Sequence, residues 1–293
     1  ILTRSSQNNR SIAMTSASLP QIASQVRRDI VRMVHGASSG HPGGSLGCVD
    51  VLTLLFFEEM NIAPETFDMD GKDEDLFFLS NGHISPVWYS ILARRGYFPV
   101  DELATFRKIN SRLQGHPATE EGLPGIRMAS GSLGQGLSAA IGAAQVKKLN
   151  NESTTVFSLH GDGELQEGQI WEAAMYAAHH QVDNLISFVD CNGQQIDGPT
   201  DEVMGLGDLE KKWSAFGWQV HLCNGHDFNE LRNAVSAAKQ QRGNGKPNVI
   251  LMKTAMGKGV DFMEGTHEWH GIAPNDEQLS AALGQLEETL GDY

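Results

Sequence analysis

Cysteine is scarce in this chain: Cys48, Cys191 and Cys223 are odd in number and show no CxxC spacing. Neither a disulfide framework nor a zinc site is supported, and a reducing cytoplasm is the natural setting. The three thiols read as small apolar groups. Long apolar runs are missing too. The longest, from Val51 to Phe57, is broken only by Thr53 and falls far short of the roughly 20 residues a membrane-spanning helix needs. No basic stretch followed by an apolar one opens the chain, so a secretory signal finds no support. Cations are in deficit: 22 Lys and Arg against 36 Asp and Glu leave a net charge of −14. Such a field repels nucleic acid, and neither nucleic acid nor membrane is expected as a partner. It repels a sugar phosphate equally. Any anionic ligand must therefore be held locally, by a metal, helix N-termini or a basic patch.

What the chain does contain is the composition of an ordinary soluble enzyme, 40% hydrophobic with 32 glycines in 293 residues. That length can bury one large core or two modest ones. Residues 1–18 are polar, Ser/Asn-rich and without periodicity. They read as a disordered leader or an expression remnant, with Met14 a candidate native start. From Leu19, the spacing of Ile22, Val26, Ile30, Val31 and Val34 predicts an amphipathic helix with Arg27, Arg28 and Arg32 outside. It stops at the glycine-rich stretch 36–47, and 50–60 reads as a buried helix. Four apolar runs, 76–79, 156–159, 185–189 and 249–252, read as strands buried on both faces, with a fifth at 219–222. Helical stretches at 86–95, 133–148, 166–179 and 228–241 separate them. This alternation predicts an α/β fold: a doubly wound, mostly parallel sheet with helices on both faces. No repeat or linker divides 19–293, which reads as one domain with loops at 36–48, 110–132 and 190–210.

The strongest chemical signal is His160-Gly161-Asp162-Gly163-Glu164, directly after the run 156–159. The run 185–189 leads in the same way into Asp190-Cys191-Asn192-Gly193-Gln194. In a parallel sheet Asp162 and Asn192 both fall at carboxyl ends of strands, where open α/β sheets bind ligands. One helix separates the two strands, which makes them neighbours. An Asp carboxylate, an Asn amide oxygen and a loop carbonyl, assigned to Gln194, form a hard oxygen set suited to Mg2+. Gly161 and Gly163 let the backbone close on a diphosphate, and the following helix aims its first N–H groups at the anion. A GDG followed about thirty residues later by Asn, each after a strand, is a thiamine-diphosphate motif.

Other segments narrow the class. They are Ser39-Gly40-His41-Pro42-Gly43-Gly44, Ser80-Asn81-Gly82-His83 with Ser85-Pro86 and Tyr89, Gln114-Gly115-His116-Pro117, Gly131-Ser132-Leu133-Gly134-Gln135-Gly136, GDGELQEG from Gly161, NGQQIDG from Asn192, and Thr266-His267-Glu268-Trp269-His270-Gly271. Seven segments in one order resemble those of transketolase along nearly the whole chain after residue 19. The resemblance implies the thiamine-diphosphate-binding domain of that family over 19–293, with thiamine diphosphate and Mg2+ as cofactors. It places His83, Gly131, Ser132, Leu133, Gly134, Gly161, Asp162, Gly163, Glu164 and Asn192 at the cofactor, and Asp162, Asn192 and Gln194 at the metal. Glu164 is expected to buttress its loop or a subunit contact more than to ligate. Asp190 is equally a support for the site or a turn acid at a strand end. Ser132 stands where the family usually carries proline, and Cys191 where an acid is common.

Eleven histidines are present. His35, His179, His180, His221 and His226 read as ordinary surface or core residues, whereas His41, His83, His116 and His270 sit in glycine- or proline-containing loops. Ketol transfer cleaves a carbon–carbon bond beside a ketose carbonyl and re-forms it on an aldose, which needs groups with pKa values near 7 to move protons. By resemblance His116 and His270 contact the reacting hydroxyls, His41 assists proton transfer to the acceptor, and His83 lies near the diphosphate.

A full transketolase continues into a pyrimidine-binding domain, with a glutamate and an aromatic residue for the aminopyrimidine, and then a further domain. This sequence ends at Tyr293. A split transketolase is the expectation: this subunit with a separate C-terminal subunit, as an α2β2 heterotetramer acting on sugar (phosphate) substrates. A fragment of one longer gene competes with it. So do a 1-deoxyxylulose-phosphate synthase-like enzyme, a specialised ketol or acyl transferase, and a noncatalytic partner chain. A nicotinamide dehydrogenase is disfavoured by the absence of GxGxxG in a first βα unit and of a P-loop.

Overall fold

The computed structural model describes residues 17–293, so the reading of the leader and of Met14 lies almost wholly outside the described residues. Helix α1 (Leu19–Ala37) begins where the Gln21 side chain reaches back to the Ser18 amide at 2.9 Å. Its stripe of Ile22, Val26, Ile30, Val31 and Val34 is buried, as the spacing predicts. The expectation that Arg27, Arg28 and Arg32 lie outside is corrected. Arg28 is buried against Asp292 and the carbonyls of Leu283 and Leu286, and Arg27 pairs with Asp50 at 2.6 Å. Arg32 is partly covered by Asp292 and Tyr293. The end of the chain folds back over this helix, and a covered arginine needs carboxylate and carbonyl partners to offset lost hydration. Partners 264 residues away in sequence leave no trace in local periodicity.

The stretch expected as a loop at 36–48 contains a buried helix, α2 (Pro42–Gly47). Proline at its start suits a first helical position. Its glycines serve close packing: a Cβ on Gly43 would lie 2.6 Å from Met256 Cγ. Helix α3 (Val49–Leu54) follows and widens into a π turn, Leu55–Glu59.

The remaining elements are β1 (Leu76–Leu79), α4 (Ser85–Arg95), α5 (Gln135–Leu149), β2 (Val156–Gly161), α6 (Gly168–His179), β3 (Leu185–Cys191), β4 (Gln194–Gln195), β5 (Gly198–Pro199), α7 (Thr200–Met204), α8 (Leu209–Ala215), β6 (Gln219–Asn224), α9 (Phe228–Gln240), β7 (Asn248–Lys253) and α10 (Asp276–Gln285). The stretch 190–210, expected as a loop, thus carries the antiparallel β4–β5 pair and α7. The main sheet is parallel throughout, in the order β1-β2-β3-β7-β6. All five strands that the apolar runs predicted are present.

Alternation along these strands feeds two cores, one on each face. Phe77, Leu79, Phe157, Leu159, Ile186, Phe188, Ile250 and Met252 join the core built with α1, α3, α4 and α9. Leu76, Phe78, Val156, Leu185, Val189, Val249 and Leu251 join the core built with α5, α6 and α8. The fold is therefore doubly wound. Among the described residues no helix is long and apolar enough to cross a membrane.

A buried ion pair ties α1 to α4. Asp29 has no exposed surface and accepts from Arg94 Nε at 2.8 Å, Arg94 Nη2 at 2.7 Å and Ser90 Oγ at 2.7 Å. Removing one member strands the other in a dry interior. Arg94→Ala is therefore expected to lower stability by about 3–5 kcal/mol. Urea unfolding measures it, and a midpoint equal to wild type would contradict the assignment.

Candidate active site

Parallel pairing of β2 with β3 sets Gly161 opposite Asp190, and the Asp162 amide donates to the Asp190 carbonyl at 3.2 Å. Both strands run on past their apolar runs, ending at Gly161 and Cys191. Asp162 and Asn192 therefore leave neighbouring strands at the same level and line one cavity of about 350 Å3. Asp162 Oδ1 accepts from the Gly163 amide at 2.8 Å and Oδ2 from the Gly193 amide at 2.6 Å. Asn192 Nδ2 donates to Asp190 Oδ2 at 2.8 Å, which fixes the amide, while Oδ1 accepts from the Gln194 amide at 2.8 Å. Asp190 is buried and also accepts from the Thr254 hydroxyl. It acts as a support, which answers the choice that the sequence left open. Burial, with the Asp190 carboxylate beside it, pushes the Asp162 carboxyl up to about 7.

The helix expected over 166–179 starts at Gly168 and ends at His179. A 3-10 turn, Gly163–Gln166, precedes it and is capped by Asp162 itself. Glu164, in this turn, is buried and accepts from Ser80 Oγ, from the Gly134 amide at 2.8 Å and from the Gly161 amide at 3.2 Å. Burial alone would push its carboxyl up. The His160 ring and the bonds from Ser80 and Gly134 outweigh burial and hold it low. Glu164 thus ties the Gly131–Gly134 turn to the end of β2, the buttress that the sequence pointed to.

Four histidine-bearing loops meet over this pair. The His41 ring centroid lies 5.2 Å from that of His83, 5.5 Å from His270 and 6.3 Å from His116, and His83 stacks on His270 at 5.1 Å. His41, His83 and His270 line the cavity, and His116 sits exposed at its rim. Burial, then the neighbouring imidazoles, push His83 down to about 3 and, with Arg107 helping, His41 to about 4. His116 is lowered by burial and Arg107, and His270 by burial against the opposing pull of Asp197. The Nδ1 atoms of His41 and His270 are buried without a partner, as is Asn81 Oδ1.

Of the turn residues, Gly131 and Leu133 line the cavity. Gly131 has φ of 123°, and a Cβ there would lie 2.5 Å from His116 Cδ2, so only glycine fits. Ser132 is exposed with its hydroxyl bonded by Gln135, and Gly134 faces Glu164. A hollow of about 710 Å3 beyond β3, β6 and β7 is larger, but its histidine, His226, is engaged by Asp50 and the Ala255 amide.

The family described as transketolase, thiamine diphosphate binding domain, matches residues 19–288. The chain belongs to that family. It is 41% identical to the 6-deoxy-6-sulfo-D-fructose transketolase subunit of Clostridium sp. (strain MSTE9), over 90% of this chain and 94% of that one. It is 38% identical to an apulose-4-phosphate transketolase subunit of Actinobacillus succinogenes, over 92% and 96%. Among solved structures it superposes on the transketolase of Leishmania mexicana with a TM-score of 0.86, 31% identity and 94% of this chain covered. With that of Campylobacter jejuni the TM-score is 0.84, the identity 33% and the coverage 92%. The chain spans about two-fifths of the length of these solved transketolases, 42% of each.

The cavity suits the ligand of a thiamine diphosphate-binding domain. Among the described residues no cluster of three His, Cys, Asp or Glu could hold a metal. The donors lining the cavity are of another kind, the Asp162 carboxylate and the Asn192 amide oxygen with Gln194 beside them, hard oxygens of the type that suits Mg2+. Among the described residues no cationic side chain bonds to Asp162, a desolvated acid whose burial a bound divalent ion would relieve.

The structure adds residues that were not proposed for the site from sequence. Asn81 was present in a quoted segment but given no role. Gln195, Met256 and Ile196 also line the cavity, and Ile196 is 62% exposed at its mouth. An exposed isoleucine carries no sequence signal of its own; only its place four residues after Asn192 pointed towards the site.

The depressed His83 ring carries a pH dependence. Unfolded, it titrates near 6.5. As pH falls below 6.5 the unfolded chain takes up a proton that the folded chain refuses until about 3. Stability from this ring is thus full above pH 6.5 and lost as pH falls towards 3. Between pH 7 and 4.5, wild type is expected to lose on the order of 2 kcal/mol more than His83→Gln. Urea titrations at both pH values compare them, and equal losses would contradict it.

Proposed function

We propose that this chain is the N-terminal subunit of a two-chain transketolase-like enzyme, moving a two-carbon ketol unit from a ketose (phosphate) donor to an aldose (phosphate) acceptor. The carrying observation is one cavity at the carboxyl ends of β2 and β3 that gathers Asp162, Asn192, His41, His83 and His270, with the His116 ring 6.3 Å from that of His41 at its rim. Asp162, Asn192 and the Gln194 carbonyl would hold Mg2+, with the diphosphate of thiamine diphosphate against Gly161, Gly163 and the Gly131–Gly134 turn near His83. When bound, thiamine diphosphate supplies the electron sink for breaking the bond beside the ketose carbonyl.

The chain's own residues handle protons and position. With His41 and His83 held far below neutrality, their rings are uncharged at pH 7, each with one nitrogen to donate and one to accept. In this reading His116, at the rim, and His270 take the donor hydroxyl proton, and His41 returns one to the acceptor carbonyl oxygen. A neutral ring that takes the hydroxyl proton becomes imidazolium, and passing that proton on to the acceptor oxygen returns the site to its starting charge.

A separate C-terminal subunit carrying the pyrimidine-binding domain, in an α2β2 heterotetramer, completes this reading. It is supported by the near-equal length of relatives that are themselves named subunits. Three unpaired thiols accord with a cytoplasmic setting. The names of those relatives, a sulfofructose and a phosphosugar enzyme, point to donors or acceptors with an anionic tail.

Calorimetry tests the metal site. Thiamine diphosphate is expected to bind wild type only with Mg2+, and Asp162→Ala is expected to lose at least about 100-fold in affinity. Unchanged affinity in the variant counts against the assignment. Ketol transfer is then expected only after the chain is mixed with its companion subunit.

A further inference from the structure

Arg107 differs from the paired arginines around it. Its φ is 57°, a left-handed conformation uncommon for a residue with a Cβ. Its amide donates to the Leu113 carbonyl at 2.9 Å, closing the loop that leads to His116. The guanidinium comes back over Gly115, where a Cβ would lie 2.9 Å from each of Cζ, Nε and Nη2. Three equal distances set the glycine against the face of the guanidinium, and a side chain there would push the guanidinium away. Nη1 donates to Ser39 Oγ at 2.7 Å, two residues before His41. Nε is buried and unpartnered.

Arg95 and Arg242 bond backbone carbonyls, whereas the acceptor of the Arg107 guanidinium is the Ser39 hydroxyl. Arg27, Arg94, Arg112 and Arg127 each hold a carboxylate. Among the described residues Arg107 has no carboxylate at salt-bridge distance, in a chain with a net charge of −14. The fold leaves one positive charge uncompensated beside two imidazoles of the site.

We propose that Arg107 is a positioning residue of this site: its guanidinium braces the Ser39–His41 loop to the Gly115–His116 loop and faces both rings with an unpaired positive charge. The role assigned to those rings rests on the function proposed above. A cation at that position disfavours the imidazolium form of His41 and His116, adding to the larger effect of burial. The other groups around the cluster do not cancel it. His83, His270 and His116 pack about His41, Asp197 and His267 act on His270, and Tyr89 faces Arg107 with Glu121 beside it. Lysine could replace the charge but not the planar face over Gly115.

Histidine titration by NMR on the chain itself tests this directly. Wild type, Arg107→Gln and Arg107→Lys are compared, with His41→Gln and His116→Gln to assign the signals. In Arg107→Gln the His41 and His116 midpoints are expected to rise by about half a unit to one unit, while Arg107→Lys stays within about 0.2 units of wild type. In the enzyme complemented by its companion subunit, the acid limb of kcat/KM is expected to move up by the same amount in Arg107→Gln. There kcat is expected to fall about tenfold from loosened loops. Arg107→Lys should restore the limb and not kcat.

Unmoved midpoints in a folded Arg107→Gln chain overturn the proposal. So does a loss confined to KM for anionic substrates, which would make the guanidinium a substrate ligand. Should Arg107→Gln fail to fold, Ser39→Ala keeps the charge and removes the brace. It is expected to lower kcat about threefold or more with midpoints unchanged, and an unchanged kcat overturns the brace. The two readings fail separately. Shifted midpoints in a chain that cannot bind thiamine diphosphate keep the role of Arg107 and remove the function; binding without a shift does the reverse.

Discussion

The parallel pairing of β2 with β3 places two strand ends side by side, and nearly everything in the site hangs from it. Because Gly161 lies opposite Asp190, the next residue on one strand and the residue two further on the other share a cavity wall. Asp162 is then almost wholly buried at the cavity wall, and its two oxygens accept from the amides of Gly163 and Gly193. Sliding the register by one residue would turn every side chain of the strand to the opposite face. The two apolar cores, one under α1, α3, α4 and α9 and one under α5, α6 and α8, prevent that slide.

On this base the chain solves an electrostatic problem. An acidic protein buries two carboxylates, Asp162 and Asp190, within reach of one another and keeps the imidazoles above them uncharged. Glu164 is held ionised a few ångströms away by hydrogen bonds that also fix the Gly131–Gly134 turn. Charge is therefore distributed by structure, with acids beneath, neutral rings above and the Arg107 guanidinium at the side.

Much of this was legible in the sequence where the signal was local. Strand runs, the GDG after one and the asparagine after the next gave the sheet and its working edge, and the four histidine loops could be picked out by their glycine and proline neighbours. Legibility failed where the cause was distant in sequence. Arg28 reads as solvent-facing by periodicity and is buried by Asp292; the glycines of 36–47 read as a loop and pack a helix against Met256. The turn that precedes α6 is set by Asp162 capping it, a preference hidden behind the apolar period of the helix itself. Ile196 and Arg107 owe their places to loops whose paths no short pattern encodes.

The central claim is that side-chain oxygens of Asp162 and Asn192 share one divalent ion with a bound diphosphate. A crystal structure of the chain with thiamine diphosphate and Mg2+ tests it most directly. The account expects an octahedral ion with both oxygens at about 2.1 Å and His83 beside the diphosphate. An ion bound away from these two side chains, or cofactor density in the hollow near His226, would contradict it.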